Sequence, residues 1–222
     1  MLRLEPTEDG SFTLYNEALN EIYHSRHGAL QESLHVFIET GLVHLLAQKE
    51  EVNILEVGFG TGFNALLTLD FLRDKPQKVA YCGLETLEIP VELWQALSYP
   101  TLLGKPELSY YFQAMHESTW GTCLPLLPNF SFCKELQGVL TYNSPAVFDL
   151  VYFDAFAPRK QPEMWKPAVF AHLYAMMREN SSLVTYCAKG QVRRDLQSVG
   201  FVVERLEGAA GKFEMLRANK PA

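Results

Sequence analysis

The stretch Val52-Asn53-Ile54-Leu55-Glu56-Val57-Gly58-Phe59-Gly60-Thr61-Gly62-Phe63-Asn64 decides how the rest of the chain is read. Val52–Val57 is a short apolar run of the kind that forms a buried strand. Gly58, Gly60 and Gly62 follow, and a glycine-rich backbone can turn sharply and come close to a ligand. Leu66, Leu67, Leu69 and Leu72 then recur at a spacing that predicts a helix over 61–73, with Thr61 as its cap. A helix that starts on such a turn aims unpaired backbone N–H groups at whatever the turn holds. The dinucleotide fingerprint G-x-G-x-x-G, counted from Gly58, needs a third glycine where Phe63 stands. The spacing here is G-x-G-x-G, preceded by Glu56, so a pyrophosphate is not the expected ligand.

Downstream of that turn, strands and helices are predicted in alternation. Strands are expected over 78–85, 130–135, 148–154 and 182–187, and helices over 90–97, 161–179 and 191–199. Two further strands, over 201–206 and 213–217, follow each other with no helix between them and predict an antiparallel edge hairpin. Residues 98–129, rich in proline and aromatics, take no assignment. Upstream, Leu30, Leu34, Phe37, Ile38, Leu42, Leu45 and Leu46 predict an amphipathic helix over 29–49, interrupted by Gly41. Residues 1–27 read as an irregular or β-rich lead-in. The predicted class is α/β: a doubly wound, Rossmann-like, mostly parallel sheet with helices on both faces and an antiparallel edge hairpin. A small N-terminal extension and helix (1–50) precede the main domain (51–222). In such a sheet the ligand crevice lies at the carboxyl ends of the strands.

Composition fits a globular domain: of 222 residues, 48% are hydrophobic and 20% charged. No apolar run reaches the ~18 residues of a membrane-spanning helix. The acidic first ten residues lack a signal core, so cytoplasmic residence is expected. Cys82, Cys123, Cys133 and Cys187 form no C-x-x-C pair and are expected to be packing residues, not disulfides or zinc ligands. His24, His27, His35 and His44 lie close in sequence but lack accompanying Cys or ordered acids, so no metal is expected. Residues 1–154 hold 8 Lys+Arg against 20 Asp+Glu, −12, and residues 155–222 hold 11 against 6, +5, which sum to the chain's −7. The acidic total argues mildly against nucleic acid, while the basic C-terminal third leaves room for a phosphate-binding face.

The turn Glu56-Val57-Gly58-Phe59-Gly60-Thr61-Gly62-Phe63-Asn64 resembles the first motif of the Rossmann-like methyltransferases. That resemblance implies a loop holding the methionine and ribose parts of S-adenosylmethionine, with Glu56, Gly58, Phe59, Gly60, Thr61, Gly62, Phe63 and Asn64 as candidate contacts. Glu85 closes the second strand and has the chemistry to accept hydrogen bonds from both ribose hydroxyls. Asp154 ends the apolar run Leu150-Val151-Tyr152-Phe153, beside the glycine turn in a doubly wound sheet. A carboxylate there costs desolvation energy unless it meets a partner, and a substrate amine or the cofactor's amino group fits. Methyl transfer to nitrogen needs a neutral amine held in line and a group to take its proton, and Asp154 suits both tasks. No cysteine accompanies the Asp154 loop, so an amine is favoured over a pyrimidine ring carbon as acceptor.

Four segments resemble one family within that class, the MnmC/MnmD methyltransferases that modify the tRNA wobble uridine. Phe153-Asp154-Ala155-Phe156-Ala157-Pro158-Arg159-Lys160-Gln161-Pro162-Glu163-Met164-Trp165 is similar to their DGFAPxxNPxMW, with Ala155 where the family has glycine. Gly190 to Phe201 is similar to their xVRRxLxxxGF, Gly211 to Leu216 to GxKxEML, and the glycine turn to xxGFGTGxN. The acidic "GD" segment of the family is not evident near Gln137-Gly138. The resemblance implies S-adenosylmethionine-dependent methylation of the primary amine of 5-aminomethyl-(2-thio)uridine at position 34, with tRNA as partner and Asp154 at the transfer site. It implies a stand-alone methyltransferase without a fused flavin oxidoreductase. Candidate substrate contacts are Phe156, Pro158 and Trp165 around the base and Arg159, Lys160, Arg193, Arg194 and Lys212 on phosphates. The alternative is an N-alkyltransferase acting on a small amine such as a polyamine.

Overall fold

The structure is a computed structural model that describes residues 1–7, 12–23, 29–144, 148–209 and 213–222. Strands β1 (Leu2–Pro6), β2 (Phe12–Asn16) and β3 (Glu21–Ile22) form a small antiparallel sheet. The remaining strands form one eight-stranded sheet: β4 (Glu51–Val57), β5 (Lys78–Glu85), β6 (Leu124–Leu127), β7 (Phe130–Leu136), β8 (Phe148–Phe153), β9 (Met177–Thr185), β10 (Val202–Glu207) and β11 (Glu214–Lys220). Their spatial order is β10-β11-β9-β8-β4-β5-β7-β6. The β4–β5, β4–β8, β5–β7 and β8–β9 pairs are parallel. The predicted antiparallel hairpin is present, with a twist in its placement: β11 pairs with β9 as well as β10, so β10 and not β11 forms the edge.

Alternation along the central strands sorts side chains into two buried layers. Ile54, Leu150 and Tyr152 face one cluster, together with Phe37, Leu66, Leu69 and Met115 from helices. Leu55, Val57, Val151 and Phe153 face the other, with Phe170, Leu173, Val192 and Leu196. The helix predicted over 29–49 runs from Ala29–Ser33 through a π-helical stretch, Leu34–Val43, into His44–Leu46. Gly41 lets it lie close on the sheet: a Cβ there would sit 3.0 Å from Val184 Cγ2.

Several sequence expectations are corrected. The helix after the glycine turn is Phe63–Leu72, and its N-cap is Gly62 in the left-handed conformation (φ 74°), not Thr61. The expected 161–179 helix is a 3₁₀ turn at Pro162–Trp165, then a helix at Pro167–Met176 that passes directly into β9. Lys166 is extended, as a residue before proline tends to be, and this separates the two helical pieces. Residues 98–129 hold a helix, Ser109–Glu117, and strand β6. Cys123 and Cys133 form a disulfide with Cα atoms 4.4 Å apart, against the expectation of four packing thiols. Cys82 and Cys187 are free. No helix among the described residues is long and apolar enough to cross a membrane. His24, His27 and Lys212 lie outside the described residues.

Candidate functional site

The chain order of the parallel strands reverses between β4 and β8, and the turns after those two strands meet there. Asp154 N–H donates to Val57 O (3.0 Å), and Gly58 and Phe59 N–H donate to Leu84 O (3.1 and 2.9 Å). Three strand ends are thus laced together by main-chain bonds. Gly58 cannot be replaced without cost: its φ is +93°, and a Cβ would lie 2.7 Å from Asp154 O. Beneath the turn, His116 reaches up from the Ser109–Glu117 helix, its Nε2 3.1 Å from Thr61 O. Its ring stacks on Trp94 with centroids 4.8 Å apart. Burial, with Lys134 nearby, brings the His116 imidazole down to about 4, so near neutral pH it is uncharged and bonds Thr61 O as an N–H donor.

Above the turn lies a cavity of about 610 Å³, within the range of small-molecule sites. Gly58, Phe59, Gly60, Thr61, Phe63, Asn64, Glu85 and Asp154 line it, which brings together most of the residues assigned to a cofactor. Glu85 is held by Gly60 N–H (2.9 Å) on one carboxylate oxygen and by Thr86 and Leu87 N–H (2.7 and 3.1 Å) on the other. Gly62 and Glu56 are not in the lining. Glu56 is fully buried below the floor, where it accepts from Tyr81 Oη (2.7 Å) and Asn64 Nδ2 (2.9 Å). It is therefore corrected from a cofactor contact to a group beneath the site.

The roof comes from the N-terminal sheet, which sequence reasoning left without a role. Tyr23 lies over the glycine turn, so that a Cβ on Gly60 would meet its ring at 3.0 Å. Its ring also meets Phe156 edge-on, with centroids 4.9 Å apart. Burial, together with the Glu85 carboxylate, pushes the Tyr23 phenol up. Arg159 and Lys160 fasten this sheet to the loop after β8. Arg159 Nη2 lies 3.0 Å from Glu21 Oε2, and Lys160 Nζ donates to the carbonyls of Leu19 (3.1 Å) and Asn20 (2.5 Å). Both had been assigned to phosphates, but here their cationic ends hold the roof.

Of the other substrate candidates, Phe156 lines the cavity. Trp165 is corrected: it is buried against Phe153 and Phe170, and its Nε1–H donates to Phe156 O (2.7 Å). It therefore supports the loop and is not positioned to wall a base. Pro158, Arg193 and Arg194 stand outside the cavity lining, the two arginines on the Gly190–Ser198 helix. Lining residues that sequence reasoning missed include Tyr23, Glu32, Tyr186 and the Gln137-Gly138-Val139 turn. Tyr186 Oη donates to Ala155 O (2.8 Å), which fixes the loop beside Asp154.

The cavity carries Glu21, Glu32, Glu85 and Asp154 against Arg159, and Arg159 is itself paired to Glu21. An acidic lining suits a cationic sulfonium, and the glycine turn leaves main-chain room beside it. The lining therefore fits S-adenosylmethionine.

A family model for S-adenosyl-L-methionine-dependent methyltransferases matches residues 132–221. The tRNA 5-methylaminomethyl-2-thiouridine biosynthesis bifunctional protein MnmC of Cupriavidus necator is 32% identical over 97% of this chain and 34% of its own length. The protein of the same name from Pseudomonas aeruginosa is 31% identical over 90% of this chain and 32% of its own length. The chain thus spans about a third of these relatives. The crystal structure of MnmC2 from Aquifex aeolicus superposes with a TM-score of 0.81 at 23% identity, covering 100% of this chain and 72% of that one. A SAM-dependent O-methyltransferase from Thermotoga maritima superposes at 0.53, with 14% identity, over 99% of this chain and 78% of its own. These likenesses establish the fold. The family match lies in the C-terminal part of the chain, and nearly the whole chain is similar to about a third of the MnmC proteins.

Proposed function

We propose that the chain methylates the primary amine of 5-aminomethyl-(2-thio)uridine at the wobble position of tRNA. The observation that carries this reading is the half-buried Asp154 carboxylate, set at the β8 end between the glycine turn and the aromatic pair Tyr23 and Phe156. The relatives that span nearly the whole chain are named for biosynthesis of the matching methylated nucleoside. S-adenosylmethionine, when bound, supplies an activated methyl group on a sulfonium. Gly58, Phe59, Gly60, Thr61 and Glu85 would hold it. Asp154 orients the acceptor amine and receives the proton that the nitrogen sheds as it gains the methyl. Phe156 and Tyr23 flank the uracil, as aromatics do with splayed-out bases. The N-terminal extension (1–50) then serves as the roof of a catalytic domain (51–222). Arg193, Arg194 and Lys212 are read as the phosphate contacts.

The acidic cavity lining favours a second reading, transfer to a small cationic amine. Methyl transfer from labelled S-adenosylmethionine to tRNA from cells lacking this protein, followed by nucleoside analysis, separates the two. Label in 5-methylaminomethyl uridine, lost at high salt and in the Arg193→Glu/Arg194→Glu double variant, is the expected result. No label in tRNA, with the donor bound, transfers the activity to small amines.

A further inference from the structure

A single amide joins two acids at the floor of the site. Asn64 Nδ2 lies 2.9 Å from Asp154 Oδ2 and 2.9 Å from Glu56 Oε1, so its two hydrogens serve one carboxyl group each. Glu56 is 0% exposed, and its second oxygen is bonded to Tyr81 Oη at 2.7 Å. The Asn64 carbonyl oxygen is buried with no hydrogen-bond partner, so Asn64 is held in place through its NH2 group. The ionisable groups that bear most on Glu56 come from the two strands beside β4. They are Tyr81 and Glu85 on β5, Asp154 after β8, and Tyr152 on β8, which feels Glu56 in turn. None of these is a cation.

Two carboxylates sharing one neutral donor, with no positive charge beside the deeper one, cannot both ionise cheaply. We propose that Asn64 is the positioning residue that aims Asp154, and that Glu56 stands behind it as a neutral acid, fixing Asn64 and leaving Asp154 the sole anion under the acceptor amine. Burial, the first cause, and the Asp154 and Glu85 charges hold the Glu56 carboxyl well above the usual range, against the bonds from Tyr81 and Asn64. Glu56 therefore touches neither cofactor nor substrate. This inference rests on the methyl-transfer reading for its effect on rate, while its protonation claim stands on the isolated protein.

The test has one arm for each part. Infrared spectra of the purified protein near neutral pH should show a carboxylic acid carbonyl band that disappears in Glu56→Gln. Its absence from the native protein, or its survival in Glu56→Gln, overturns the proposal whatever the substrate proves to be. In turnover, Glu56→Ala should lower kcat at least tenfold with little change in KM for S-adenosylmethionine, and Glu56→Gln, which keeps an oxygen to accept from Asn64, should restore most of it. Asn64→Leu should move the acid limb of kcat, where Asp154 takes up its proton, to higher pH, because a donor to the carboxylate is lost. Glu56→Gln should leave that limb in place. A limb displaced to lower pH in Glu56→Gln would mean that a negative charge had been removed, and the neutral-acid assignment would fall. Failure of methyl transfer to tRNA with the infrared result intact would overturn the substrate reading alone.

Discussion

Two buried acids on neighbouring strands show how differently the two ends of one sheet are built. At the amino end, Asp149 is 1% exposed and meets Lys49 Nζ at 2.6 Å, Arg178 Nη1 at 3.2 Å and the Asn53 N–H at 2.9 Å. At the carboxyl end, Glu56 is equally enclosed but meets only neutral donors, a phenol and an amide, beside further acids. His116, under the same turn, is likewise driven towards its uncharged form. One end stabilises buried charge by pairing it. The other end shifts Glu56 and His116 towards their uncharged forms, beneath a cavity whose lining includes Asp154 and Glu85. Stability is concentrated where no ligand binds, and polarity is held in reserve where one does.

Three experiments break or sharpen this contrast. The largest effect is expected at the carboxyl end: Asp154→Ala should lower turnover roughly 10²–10⁴-fold, the scale of a lost general base, with S-adenosylmethionine affinity by calorimetry largely intact. Near-normal turnover would remove Asp154 from the mechanism. Next, Asp149→Ala should cost about 3 kcal/mol in urea denaturation, the lower end for a broken buried pair, because the Arg178 side chain is 50% exposed and readily rehydrated. Turnover per folded molecule should be unchanged, and a comparable loss of activity would contradict the division between the two ends.

The smallest effect concerns pH. A histidine brought down from 6.5 to about 4 contributes stability that is fully present above 6.5 and lost as pH falls, since the unfolded chain takes up the proton first. Glu56 acts with the opposite sign: a carboxyl raised above 4.5 contributes stability that is present below that pH and lost as pH rises. The native protein alone therefore shows their partial cancellation, and the histidine must be read by difference. The destabilisation caused by His116→Asn at pH 7 should shrink by about 2 kcal/mol at pH 5. A gap that stays constant between the two pH values would show that His116 is not held neutral.

The strand–turn–helix around Gly58, Glu85 at the close of β5 and Asp154 at the close of β8 were legible because each is a local pattern: an apolar run ended by a turn or an acid. What escaped depends on distant partners. Nothing near Tyr23 signals that it lies over Gly60, and nothing near Lys160 shows its ammonium bonded to carbonyls of the lead-in. A charge count over the C-terminal third treated Arg159 and Lys160 as free cations, whereas tertiary contacts had already engaged them. The helix-to-strand change at Met177 carries neither Gly nor Pro; it is set by pairing with β8 and by the Arg178–Asp149 contact. Glu56 was visible as an acid before a glycine turn, but its place below the floor follows from strand alternation, which puts it in the Ile54 and Tyr81 layer.

The placement of β11 between β9 and β10 has a consequence for how the molecule is made. A ribosome delivers β10 before the strand that must separate it from the rest of the sheet. Until β11 arrives, β10 has no native neighbour, and β9 presents an open edge. Without β11, β10 would have no strand to pair with in the native sheet order. The seven residues of β11, from Glu214 to Lys220, share two ladders, one to β10 and one to β9. β11 is thus the sole tie that holds β10 to the parallel part of the sheet among the described strands.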